Sequence, residues 1–139
     1  MTKLALVCGA TTLFSALAIH QSAAHHSVAM YDLNTPKTIS GSIMRFRWVN
    51  PHVYIHVLAD GADGQPSVEW VLEGSSPANM TRVGWTRNSL QLNARVQAEF
   101  SPMRDGTPTG LCRRFVLAES GAELKCVGAL TAGEKANLP

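Results

Sequence analysis

From Thr38 onward apolar and polar positions alternate with the two-residue period of strands that bury one face. Thr38 to Val49 is rich in branched and aromatic residues, and Pro51 interrupts the ladder before His52 to Ala59 resumes it. In that second segment Val53, Ile55 and Val57 take one face while His52, Tyr54 and His56 take the other. Asp60-Gly61-Ala62-Asp63-Gly64 supplies residues that tolerate turn dihedrals. A third strand follows, with Val68, Trp70 and Leu72 alternating with Glu69, Val71 and Glu73.

The pattern then changes period. Ser75 or Ser76 can cap a short helix that has Pro77 in its first turn, runs through Ala78, Met80 and Val83, and stops near Gly84. A fourth strand is expected at about Ala94 to Met103, reversed by Arg104-Asp105-Gly106 into a fifth at Leu111 to Ala118. Glu123 to Val127 adds a short sixth. Three strands, one helix and two strands is the element order of the OB barrel. The predicted fold is therefore mainly β, a small OB-like five-stranded barrel with one short helix between strands 3 and 4 and an added C-terminal hairpin strand. An immunoglobulin-like sandwich would need more strands and no central helix.

Ahead of the strands lies a different composition. Lys3 is followed by an uncharged apolar run from Leu4 to Ile19, then His20, Gln21 and the small residues Ser22-Ala23-Ala24, the layout of a secretory signal peptide. The run is short for a permanent membrane span, and Cys8 inside it would be discarded with the signal. The expected organisation is a signal peptide at 1–24, one barrel domain at 25–128 and a loose tail at 129–139, in a periplasmic or secreted protein. The whole chain has 12 Lys+Arg and 10 Asp+Glu, so losing Lys3 leaves a net charge of +1. That near neutrality leaves no electrostatic footprint for nucleic acid. Two cysteines remain, Cys112 and Cys126, each seven residues from a hairpin centre at Glu119 beside the Ser120-Gly121 turn signal. In an oxidising compartment this spacing predicts a cross-strand disulfide.

Four of the five histidines survive cleavage: His25, His26, His52 and His56. Cutting after Ala24 puts small residues at the last and third-last signal positions and makes His25 the new terminus; cutting after Ala23 gives Ala24-His25-His26. In the first case the terminal amine and ring Nδ1 of His25 form a chelate that one further imidazole completes as a site for copper. In the second, a histidine third from a free amine also suits square-planar Cu(II). His52 and His56 share a face but stand roughly 13 Å apart, at about 3.3 Å per residue, too far to bind one ion together. His52, next to Pro51 at the strand start, is the candidate third ligand, with His26 a spare; His56 reads as a wall histidine. No nucleophile elbow, zincin, haem-attachment or phosphate-loop motif is present, so no catalytic residue is assigned. Glu69 and Glu73 are as far apart as the histidines, and Trp48, Trp70 and Trp85 read as core or lid residues. The competing reading is a non-catalytic module that binds an exported protein or small ligand on a face showing Trp48, Tyr54 and His56, with no physiological metal.

The stretches His25-His26-Ser27, Gly41 to Val49 leading into Asn50-Pro51-His52-Val53-Tyr54-Ile55, Glu73-Gly74-Ser75-Ser76-Pro77 and Gly84-Trp85-Thr86-Arg87-Asn88-Ser89-Leu90 together resemble the DUF6152 family. The resemblance spans roughly residues 25 to 105. It implies a small exported bacterial protein of unassigned function and a shared set of polar positions. The family's His-His start, Asn-Pro-His histidine and Gly-Trp-Thr-Arg segment fall on His25, His26, His52 and Gly84 to Arg87. Where the family has Pro-Gly-Asp before the fourth strand, this chain has Gln91-Leu92-Asn93-Ala94, which alters that turn. His56 and the two cysteines match no motif of the family, so the disulfide rests on spacing alone.

Overall fold

The computed structural model describes residues 28–62 and 64–126. Six strands and one helix follow a short 3-10 turn at Val28–Met30: β1 (Lys37–Arg47), β2 (Tyr54–Ala59), β3 (Val68–Glu73), α1 (Pro77–Arg82), β4 (Arg95–Pro102), β5 (Thr109–Leu117) and β6 (Glu123–Lys125). β1 pairs antiparallel with both β2 and β4, β2 with β3, and β4 with β5. A short parallel pairing of β3 with β5 closes the ring. This is a closed five-stranded mixed barrel, the expected OB-like connectivity. β6 lies outside the ring and pairs with β5 beyond the point where β3 ends.

Gly41 is where β1 serves both neighbours at once, facing Ala59 of β2 and Val96 of β4. A Cβ there would collide with the Leu58 carbonyl, so only glycine lets the strand bend through that corner. Two bulges set which residues face inward. Met44 is the extra residue between Ile43 and Arg45, and Arg113 is the extra residue where Cys112 faces Phe100 and Arg114 faces Glu99. Each bulge lets inward residues three apart, Ile43 with Phe46 and Cys112 with Phe115, stay on the core side.

The interior is filled by Ile43, Ile55, Val57, Leu72, Phe100 and Phe115, all fully buried. Met80 of α1 plugs one end. Ser76 caps that helix by accepting from Asn79 N at 3.3 Å, Pro77 opens it, and Gly84 follows its end at φ 90°. Trp85 packs edge-on to Phe115 at 5.9 Å, and its Nε1 donates to the Lys125 carbonyl at 2.8 Å, fastening β6 to the core.

The first strand ends at Arg47 and the second begins at Tyr54, each shorter than the alternation alone suggests. The reason lies in Pro51, which has no N–H to donate, and in Val53, whose N donates to Ser75 O at 3.0 Å, outside the β1 ladder. His52 therefore sits on the barrel rim. Among the described residues no helix is long and apolar enough to cross a membrane.

Candidate functional site

Alternation along β2 turns Ile55 and Val57 inward and leaves Tyr54 and His56 half-buried on the outer wall. On β3 the same rule puts Leu72 inside and Glu69 and Glu73 outside. The two outer rows meet diagonally. His56 Nδ1 lies 2.7 Å from Glu69 Oε1, and His52 Nδ1 is in contact with Glu73 Oε1. In the β2–β3 register Glu73 faces Tyr54 and Val71 faces His56, so each histidine reaches the glutamate two residues removed from its direct partner line. The histidines and the glutamates are each four residues apart, and antiparallel pairing converts that shared spacing into two separate imidazole–carboxylate pairs. The equal spacing was the available signal in the sequence; judging the carboxylates only along their own strand hides it.

The second oxygen of Glu73 is also engaged. Tyr31 OH donates to Glu73 Oε2 at 3.2 Å. Tyr31 belongs to the segment before the barrel, which is fastened along the end of β4: Asp32 N donates to Pro102 O at 2.8 Å and Arg104 N to Met30 O at 3.0 Å. The Tyr31 ring is 4% exposed and packs on Leu111, flanked by Leu33 and Met103, in a small apolar cluster apart from the main core. One carboxylate, itself 13% exposed, thus joins the N-terminal segment to the rim histidine.

Burial, then the charge of the neighbouring Glu73, holds the Tyr31 phenol well above its ordinary value of 10.0. Tyr54 is raised by the same two causes in the same order, opposed by Arg47, whose guanidinium lies 5.8 Å from the ring centroid. These are the two tyrosines of the chain. A spectrophotometric titration should therefore show both phenols ionising above the ordinary tyrosine value, Tyr31 later than Tyr54. A raised phenol favours folding with its proton on, so that contribution is intact below the unfolded value of 10.0 and lost as pH rises through the folded one. Phenolate appearing for both rings at the ordinary value would contradict this placement.

A carboxylate acceptor at Nδ1 selects the tautomer that carries its proton there, which leaves the His52 lone pair on Nε2. Metal-ligating histidines commonly have this arrangement. Among the described residues no group of three or more His, Cys, Asp or Glu could hold a metal ion, so His52 can offer a single imidazole and further donors must come from elsewhere. His25 and His26 lie outside the described residues. Of the other candidates, Tyr54 and His56 share the outer wall, whereas Trp48 packs against the main core, edge-on to Phe46 at 5.7 Å. Cys112 and Cys126 form a disulfide with a Cα separation of 5.7 Å, as their spacing predicted.

The model of the family of unknown function DUF6152 matches residues 13–114, a span wider at both ends than the motifs alone suggest. No curated protein and no solved structure matches the chain. His52, Glu73 and Tyr31 all lie within the matched span. The chain belongs to DUF6152, a family of unknown function.

Proposed function

We propose that this protein is exported and binds copper, with the His25 amine and imidazole and the His52 Nε2 as ligands and His26 beside them. The observation that carries the reading is the Glu73 carboxylate on His52 Nδ1, the pairing that orients a ligating imidazole. Two further features support it. The segment leading to the terminus is fastened to the same carboxylate through Tyr31, so the donors that His52 lacks begin a short chain length away. The disulfide suits an oxidising compartment, as export through the signal at 1–24 would provide. Nitrogen donors of this kind favour copper over other divalent first-row ions.

The test is a Cu(II) titration of the matured protein and its His52→Ala variant. Loss of the third ligand is expected to weaken binding by about tenfold or more, which corresponds to about 1.4 kcal/mol. His56→Ala, whose imidazole is held by a different glutamate, should bind as the parent does. Equal affinity of parent and His52→Ala would mean that the terminus binds alone and that the barrel has no part in the site.

A further inference from the structure

We propose that, independently of any metal, the one-sided stretch of β1 at residues 44–47 receives an extended segment of another protein that carries two carboxylates two residues apart.

β1 has a neighbour on both sides only in its first part. Its ladder to β4 covers residues 37–42, and two more bonds end it: Ile43 N donates to Ala94 O at 3.0 Å, and Asn93 N to Ile43 O at 2.8 Å. The neighbouring chain then turns away at Asn93, whose φ is 63°. Beyond that point β1 is paired with β2 alone. Successive residues of an antiparallel pair direct their backbone groups to alternate sides. Asp60 N donates to Ser40 O, which places Ser40 and Ser42 toward β2, and the bulge at Met44 passes that role to Arg45 and Arg47. Phe46 is therefore left with its N–H and carbonyl directed outward, where no strand lies among the described residues. Such an edge is a template for an added strand.

Side chains decide which strand can add. Arg45 and Arg47 are exposed on the outer face, opposite His56 and Tyr54 of β2. Among the described residues neither has a carboxylate partner, whereas Arg95 is held by Asp60 and Arg114 by Glu99. The carboxylates of the same wall, Glu69 and Glu73, are engaged by His56 and His52. Met44 and Leu92, next to the last bond between the two chains, are 46% and 66% exposed and offer apolar surface at one end of the edge.

The same residues exclude a second copy. Two such edges paired antiparallel about Phe46 would set Arg45 of each copy opposite Arg47 of the other, and like charges directly opposite destabilise a ladder. Nor does another part of this chain fit, because no two of its 10 Asp and Glu are two residues apart. A foreign segment that alternates apolar and acidic residues meets every requirement. Its carboxylates face Arg45 and Arg47, and the apolar residue between them exchanges two backbone bonds with Phe46.

The probe is a fluorescein-labelled peptide with the core Val-Glu-Val-Glu-Val, titrated with the matured protein by fluorescence anisotropy. Its controls are a lysine version and a version N-methylated at the central valine, which cannot donate to the Phe46 carbonyl. Both controls are expected to bind about tenfold more weakly or worse, and the glutamate peptide should slow hydrogen exchange at the Phe46 amide. Arg45→Glu/Arg47→Glu should reverse the preference in favour of the lysine peptide. Both arginines are exposed, and the N-methyl comparison uses the parent protein alone, so a misfolded variant leaves the test intact. Absence of binding would overturn the proposal. So would equal binding of the methylated peptide with Phe46 exchange unchanged, which is charge attraction without strand addition. A parent dimer that protects Phe46 without peptide would put a second copy on the edge instead.

Discussion

Trp85→Ala is expected to lower the stability of the barrel by about 3–5 kcal/mol, the range for removing a fully buried aromatic side chain. Trp85 has no exposed surface. It bridges Phe46, at 6.0 Å between ring centroids, and Phe115, at 5.9 Å, and so links β1 to β5 through the interior. Its loss leaves a cavity between those strands and takes the Nε1 donor from the Lys125 carbonyl. Trp85→Phe separates the two contributions: it keeps most of the packing and forfeits the hydrogen bond, at about 1 kcal/mol. Denaturant unfolding measures both. An alanine variant with the parent midpoint would show that the core closes without this ring.

The second large effect is expected from the Cys112→Ala/Cys126→Ala pair. The two cysteines are 14 residues apart in sequence, and closing a loop of that size restricts the unfolded chain by about 3 kcal/mol. Unfolding with and without reductant should show the same drop in the parent and none in the double variant. If reduction leaves the midpoint unchanged, β6 is held by Trp85 and its three pairings to β5 and gains nothing from the cross-link.

The disulfide also shows how far spacing could be read. The pair was legible, yet the hairpin register is not the symmetric one about Glu119. Phe115 faces Leu124 and Arg114 faces Lys125, which puts Cys126 opposite Arg113. The Arg113 bulge moves the inward position back to Cys112 and so restores the cross-link. The trace of that bulge was present in the apolar spacing, since Cys112 and Phe115 are three apart where a regular strand gives an even number. Ile43 and Phe46 carry the same trace around Met44. Regular alternation was read correctly in β3, whose predicted limits are the observed ones, and overran the start of β2 by two residues.

The cluster of His52, Glu73 and Tyr31 was half legible. His52 was selected because it begins a strand after Pro51, and the structure puts it on the rim. Its two partners left weaker signals. Glu73 was visible only as one of two carboxylates on a face, and its partner lies across the sheet, a relation that depends on register and not on local pattern. Tyr31 sits in a segment with no periodicity, held by backbone bonds to Pro102 and Arg104 some seventy residues later. Contacts of that kind follow from closure of the barrel and leave no mark in the sequence around them.

The central claim is that maturation creates a metal site from the new terminus and the barrel rim. The most direct measurement is a Cu(II) titration of the matured chain, its terminus fixed by mass spectrometry, against the same chain with its N-terminal amine acetylated. The amine is then no donor, and affinity should fall by about tenfold or more if the amine is a ligand, a difference of about 1.4 kcal/mol. Equal affinities for the two forms would contradict the claim.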